Sequence, residues 1–347
     1  MKKRSLLLGG AALLLLVSAG VLAQGKAPPE PPPRSFAQWD KVTITVEQKI
    51  GGNLAILHGN PGVDTSHMDA SGGRVAVLYG PDGVLMVDDN NIEVHDKVLA
   101  AVRSLSTAPI KLLINSHAHS DHTGGNAFFA RQGAVIMAQE NLRDELMPNP
   151  NAPPRPAGPP PALDPASLPV VTYNYDPATK GKPAVTIHMN GETVDVIPMM
   201  PSHMGGDSII RFEKANMIYV EDFYRNFGYP FADQANGGSI NGMFEAIDLM
   251  GKLSNDNTVL IPGHGTMIHK KDLVPYRNML RDLMARTKAM IAQGKTLDDV
   301  LASGITKPYD ATTKGDDAAS TRRFVTELYY ENKGLPPVVN GRRNMKP

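Results

Sequence analysis

Between Asn115 and Asn126 the chain reads N-S-H-A-H-S-D-H-T-G-G-N. His117, His119, Asp121 and His122 crowd into this stretch with only Ala118 and Ser120 between them. Neutral imidazole and carboxylate are the nitrogen and oxygen donors that zinc and similar ions take, so the cluster reads as a metal-binding loop rather than a chance grouping. Ile110 to Ile114 before it reads as a short buried strand, and Gly124-Gly125 after it opens into Ala127-Phe128-Phe129. A polar loop at the end of a strand is where α/β proteins place their chemistry.

Three more candidate ligands stand at strand ends further along. His203 lies in P-S-H-M-G-G-D-S just before a strand, Asp222 ends the run Ile218-Tyr219-Val220, and His264 lies in P-G-H-G just after Thr258 to Ile261. Each sits in a glycine-flanked or polar turn, where a side chain can face a cleft. His58, His67, His95, His188 and His269 have no partner at ligand spacing and read as structural or solvated. Tyr224 and Tyr229 follow Asp222 closely and are weighed as groups that could reach a substrate oxygen.

The elements that must position these residues can be read from periodicity. Val42 to Val46, Asn53 to Leu57, Arg74 to Tyr79 and Gly83 to Val87 alternate or are rich in β-branched residues, and they read as antiparallel strands with a turn at Pro81-Asp82-Gly83. Helical spacing follows over Ile92 to Leu105, then the Ile110 strand and the donor-rich loop, a strand over Ala134 to Met137 and a helix over Glu140 to Met147. A second β run comprises Ala184 to Met189 and Thr193 to Ile197, joined by the hairpin dipeptide Asn190-Gly191, then Ser208 to Phe212 and Met217 to Val220. Helices are expected over Ser239 to Leu253, opened by Ser239 as its cap, over Asp272 to Ile291, near Leu297, and over Thr321 to Tyr330. Strands followed by helices, twice over, imply two β-layers each covered by helices.

The domain is expected to span 41-340, within a chain of 347 residues and formal net charge zero. Between Pro148 and Pro169 ten prolines mark an irregular insertion (148-169), read either as an inert loop or as a lid over the site. No basic stripe is present and Trp39 is the single tryptophan, so nucleic acid is not an expected partner. The absence of cysteine excludes disulfides, thiolate ligands and a thiol nucleophile. Lys2-Lys3-Arg4 followed by the apolar run Leu6 to Val17 reads as a signal peptide over 1-23, cut after Ala23, with a proline-rich linker over 24-40. Periplasmic or secreted localisation is therefore expected, with no stable membrane span after cleavage. The apolar run is short for a span, although a membrane anchor is the other reading.

In the order of these motifs the chain resembles the metallo-β-lactamase superfamily, over roughly Val42 to His264: Asp88 after an early strand, H-x-H-x-D-H, the distant His203, Asp222, and His264 in its G-H-G turn. The resemblance implies an α/β fold, the four-layer αββα metallo-β-lactamase sandwich, with two zinc ions at one edge of the sheets. It implies that His117, His119 and His203 hold one ion, that Asp121, His122 and His264 hold the other, that Asp222 bridges them, and that Asp88 orients a ligand by hydrogen bonding. Asp121 is the residue given a catalytic role as well.

The implied reaction is hydrolysis by a metal-bridging hydroxide. True β-lactamases of the family carry Cys or Ser where Asp222 falls. An Asp there is similar to the glyoxalase II, lactonase and phosphodiesterase branches, which puts β-lactam cleavage in doubt without excluding it. Because no Arg or Lys cluster flanks the motif loops, a small carbonyl substrate (ester, lactone, thioester or amide) is favoured over a phosphodiester. The alternatives are a non-catalytic metal- or ligand-binding protein and an iron-dependent redox member of the same superfamily.

Overall fold

Seven strands and five strands make two facing sheets, and the donor-rich loops all leave from one edge of the pair. The computed structural model describes residues 39–59, 72–148, 163–226, 228–313 and 318–334. All of these lie in one unit, Phe36–Pro347. The segment expected to be a signal peptide, most of the expected linker, His67 and the core of the proline-rich insertion fall outside the described residues.

The larger sheet runs in chain order: β1 (Ile44–Ile50), β2 (Leu54–Gly59), β3 (Val75–Gly80), β4 (Gly83–Val87), β5 (Ile110–Ile114), β6 (Val135–Gln139) and β7 (Val171–Tyr173). The first four form an antiparallel meander, and β4 through β7 pair in parallel. Those parallel connections need crossovers, supplied by α1 (His95–Leu105), by α2 (Ser120–Thr123) with α3 (Asn126–Arg131), and by α4 (Glu140–Leu146). The smaller sheet has the order β12-β11-β10-β9-β8, built from β8 (Val185–Met189), β9 (Glu192–Pro198), β10 (Ser208–Phe212), β11 (Met217–Glu221) and β12 (Val259–Pro262). Only its β11–β12 pair is parallel, with α5 (Ile240–Leu253) as the crossover. The described residues after β12 form α6 (Lys270–Ala292), α7 (Leu297–Ala302), α8 (Asp310–Thr313) and α9 (Ala318–Lys333).

Burial shows why this is four layers. One apolar cluster joins inward residues of both sheets, among them Ile56, Leu85, Ile114, Phe212 and Tyr219. A second packs the outer face of the larger sheet on Val94, Val98 and Val102. A third packs the smaller sheet on Met243, Leu280 and Phe324 from α5, α6 and α9. Each large side chain so buried contributes roughly 1.5–3 kcal/mol. The expected αββα sandwich is therefore the observed one.

Differences from the sequence reading are local. β1 starts at Ile44 rather than Val42 and continues to Ile50. The short strand β7 was not expected; it follows the proline-rich insertion and carries Tyr173, whose hydroxyl donates to Ser208 Oγ at 2.9 Å. Three residues gave too little periodicity to separate from loop. The Asn190-Gly191 turn has positive φ at both positions, 52° and 75°, which is the hairpin geometry that dipeptide favours. Ser239 caps α5 by accepting from the amide of Gly242.

Candidate metal centre

The expected residues follow the ends of four strands and occupy one further loop. Asp88 follows β4; His117, His119, Asp121 and His122 follow β5; His203 lies between β9 and β10; Asp222 follows β11; His264 follows β12. Parallel neighbours direct their carboxyl ends to one edge, so their loops meet there. Backbone bonds lace the ends together. Asp88 N donates to Ile114 O, Ser208 N to Ser116 O across the two sheets, and Gly263 N to Glu221 O.

The structure brings all seven donors together. His117, His119, His203 and Asp222 form one group and Asp121, His122 and His264 another, each with one possible ligand atom per residue inside 4.8 Å of the rest. Asp222 faces both. Its Oδ2 lies 3.8 Å from Nε2 of His117, 3.8 Å from Nε2 of His203, 3.6 Å from Nε2 of His122 and 3.3 Å from Nε2 of His264. His264 Nε2 is also 3.0 Å from Oδ2 of Asp121, and His203 Nε2 is 3.0 Å from Nδ1 of His119. His117, His122 and His203 are buried, whereas His119, Asp121 and His264 are partly exposed, so the centre opens on that side.

The outward atoms of these rings are held. His122 Nδ1 lies 2.8 Å from Oδ2 of Asp88, which also accepts from Ser116 Oγ and from Tyr219 Oη, while Asp88 Oδ1 accepts from Ser116 N. His203 Nδ1 donates to the Phe231 carbonyl at 2.7 Å, and His119 Nε2 lies 3.0 Å from Oδ2 of Asp233. An acceptor on one ring nitrogen fixes the proton there and leaves the other lone pair facing inward. Asp207 shapes the His203 loop by accepting the amides of Ser202, His203 and Met204. Below the centre, buried Arg74 pairs with Glu47 at 2.7 Å and donates to the carbonyl of Pro262, tying β1, β3 and β12 together.

Two features show that the residues fit cations. His117 Nε2 and Asp222 Oδ1 are buried without a hydrogen-bond partner, a costly state for polar atoms unless something else binds them. A Cβ on Gly263 would collide with Oδ1 of Asp222, and one on Gly73 would collide with the ring of His122, so glycine is required for the close approach at both places. Asp88, Asn90 and Glu221 adopt positive φ beside the centre, a conformation that costs non-glycine residues energy and gathers at functional sites.

The charge states follow from burial and neighbours. Burial, with His122 beside it, pushes His117 well below the usual imidazole range. Burial and His119 lower His203 to about 3. Burial works against ionisation of Asp222, but His264 and His122 outweigh it and hold its carboxyl well below normal. Burial likewise opposes the charge on His122, yet Asp222 and Asp121 raise it to about 10. The acidic pair thus stays anionic and attracts positive charge to the cleft.

The stretch Phe223 to Asn236 reads from the sequence only as a pocket wall. Asp233 and the Phe231 carbonyl, which hold His119 and His203, lie in it without a motif that singles them out. Tyr224 and Tyr229 do not face the centre. Both are buried, Tyr224 against Tyr276, and Tyr229 donating to Thr306 O and Asp310 Oδ1. No Arg or Lys cluster flanks the motif loops in the sequence, but the fold brings in a distant guanidinium: Arg323 of α9 lies 4.3 Å over the ring of Phe231, which stacks on His119.

Comparison with known proteins agrees with this geometry. Residues 73–193 match the family model of the metallo-beta-lactamase superfamily, a segment that includes H-x-H-x-D-H and ends before His203, Asp222 and His264. A metallo-beta-lactamase from Pontibacter korlensis superposes with a TM-score of 0.50 at 14% identity, covering 69% of this chain and 100% of that one, which speaks for the fold. The linear primary-alkylsulfatase of Pseudomonas sp. (strain ATCC 19151) is 33% identical over 78 residues. That match takes in 20% of this chain and only 15% of the length of that curated relative. Among the described residues no helix is long and apolar enough to cross a membrane.

Proposed function

From a chain of the metallo-beta-lactamase superfamily, we propose an exported dizinc hydrolase acting on a small ester, lactone, thioester or amide. The observation that carries the reading is the position of Asp222 Oδ2, within 3.8 Å of imidazole nitrogens from both donor groups. A single carboxylate between two sets of imidazoles and a second carboxylate is a donor set for a pair of dications, which would displace the protons those rings carry.

His117, His119 and His203 would hold one zinc ion, Asp121, His122 and His264 the other, and Asp222 both. Bound there, the pair would supply a water of lowered pKa, toward roughly 7, and polarise the bond under attack. The chain's own residues do the rest. Asp88 keeps the proton of His122 on Nδ1, the Phe231 carbonyl does the same for His203, and Asp233 holds the outer nitrogen of His119. Asp121, partly exposed beside His264, contributes its charge where substrate enters. The ring of Phe231 walls the His119 side with an apolar surface. The N-terminal basic and apolar run supports export of the mature protein.

A second reading is cleavage of a sulfate ester, favoured by the local match to an alkylsulfatase and by the guanidinium of Arg323 over Phe231, the ring that stacks on His119. The test is one experiment. The mature chain is loaded with zinc, its metal content is measured, and it is assayed against aryl esters, lactones, thioesters, β-lactams and alkyl sulfates. About two ions per chain with turnover of a carbonyl substrate supports the first reading, and turnover confined to the sulfates supports the second. Stoichiometric zinc without turnover of any member favours a binding protein, and an iron content with a visible absorption band favours the redox alternative.

A further inference from the structure

The two donor groups share one support and differ in another. Asp88, on the loop after β4 of the larger sheet, holds His122 and also binds the Ser116 hydroxyl, which stands 3.1 Å from Nδ1 of His117. His119 and His203 are both held by the loop after β11. The Phe231 carbonyl accepts from His203 Nδ1, Asp233 Oδ2 faces His119 Nε2, and Asp233 N donates to the carbonyl of His203 at 2.8 Å. The Phe231 ring lies parallel to that of His119, with 5.8 Å between centroids and 8° between planes, and meets the His203 ring edge-on at 5.5 Å.

That loop in turn rests on α9, about a hundred residues further along the chain. Ala232 N donates to Oε2 of Glu327 at 3.2 Å. Gln234 Nε2 donates to the Glu327 carbonyl and to Oε2 of Glu331, and Ser239 Oγ donates to Oε1 of Glu331. Tyr229 stacks on Phe324 at 5.1 Å. Arg323 covers the Phe231 ring at 4.3 Å while its Nε stands 3.3 Å from Oε1 of Glu327. Glu327 and Phe324 are buried, so these contacts are part of the packed interior rather than surface pairings. Immediately on both sides of the residue bonded to Glu327 sit the two that hold the histidines, Phe231 and Asp233. A shift of the Ala232 amide moves both.

We propose that α9 is a positioning element for one half of the centre. Glu327 and Arg323 fix the loop through Ala232 and Phe231, and thereby the orientation of His119 and His203. They tune the affinity of the ion that would be held by His117, His119 and His203, and do not touch the supports of Asp121, His122 and His264. Direct outer partners of metal-bound histidines change affinity by roughly 10- to 100-fold. Acting one contact further out, Glu327 and Arg323 are expected at the low end, about tenfold.

The inference rests on the two-ion reading above, and the test separates the two. Zinc alone is titrated into the metal-free full chain against a chromophoric chelator, giving two affinities for the parent protein. Glu327→Ala and Arg323→Met should each weaken one ion about tenfold and spare the other. Glu327→Gln, which keeps the acceptor for Ala232 N, should restore the parent value. Asp88→Asn, which disturbs both His122 and the Ser116 hydroxyl beside His117, should weaken both ions, so that a loss confined to one ion is the mark of α9. Phe231→Leu, which retains the backbone carbonyl but loses the stack, gives the same selective loss should Glu327→Ala not fold. Equal weakening of both ions, or none, in a parent that binds two overturns the role of α9 alone. A parent that binds fewer than two ions overturns the two-ion reading and this inference with it.

Discussion

Gly263 lies so close to Asp222 that a side chain of any size would displace the carboxylate: a Cβ at 263 would collide with Oδ1 and stand 2.8 Å from Cε1 of His122. The G-H-G turn is thus a spatial requirement of the centre and not merely a flexible joint. Gly263→Ala is expected to fold, since its neighbours on β12 are unaffected, and to lose most of its metal and activity. Circular dichroism with zinc analysis checks this; a Gly263→Ala protein with full zinc content would contradict the close packing of the centre.

Single ligand replacements probe the donor set itself. His119→Ala and Asp121→Ala both remove partly exposed groups, so the αββα core should persist. Turnover should fall by more than about 100-fold, the upper end of what outer partners cost. Far-UV dichroism and initial rates decide, and near-parental rates in either variant would remove that residue from the mechanism.

Metal removal should both inactivate and destabilise. His117 Nε2 and Asp222 Oδ1 are buried without a hydrogen-bond partner, and a bound cation would satisfy them. At a free zinc concentration one hundred times the dissociation constant, binding adds about 2.7 kcal/mol of stability. Dialysis against a chelator should therefore abolish turnover and lower the melting temperature, and added zinc should reverse both. An unchanged melting curve would argue against specific binding.

Asp88 accepts from four donors at once, the amide and hydroxyl of Ser116, His122 and Tyr219. Asp88→Asn keeps the shape but replaces an acceptor with a donor. It is expected to weaken zinc binding roughly 10- to 100-fold and to lower stability, because a buried donor would face other donors. Isothermal titration and a denaturant melt measure the two effects separately.

Glu327 supplies a pH dependence. Burial, opposed by Arg323 on its own helix and by Arg225 and the Ala232 amide on the facing loop, and reinforced by Asp233, raises its carboxyl from 4.5 to about 8. Between those values the folded chain holds a proton that the unfolded chain releases, so this group makes stability fall as pH rises through the window. Glu327→Gln removes that slope. The variant and parent should melt alike near pH 5, and the variant should be the more stable by an order of a few kcal/mol near pH 9. Parallel melting curves at both pH values would show that Glu327 is not protonated in the fold.

Much of the candidate site was legible because its donors carry their own local signals. H-x-H-x-D-H is dense, and His203, Asp222 and His264 each mark the end or the beginning of a strand with recognisable alternation. Strand pattern, turn dipeptides and the cap at Ser239 are short-range physics, so they can be read one window at a time. β7 was illegible for the opposite reason, being three residues that pair only because β6 offers an edge.

The sequence by itself determined which atoms are available for chemistry: imidazoles and carboxylates, no thiol, in loops that follow strands. Only the tertiary structure decided what supports them. Phe231 and Asp233 acquire their role because β11 delivers Asp222 and then a loop that folds back over His119 and His203. Arg323 and Glu327 acquire theirs because α9 packs on that loop. Contacts between residues a hundred positions apart depend on how whole layers stack, and no local pattern encodes that distance.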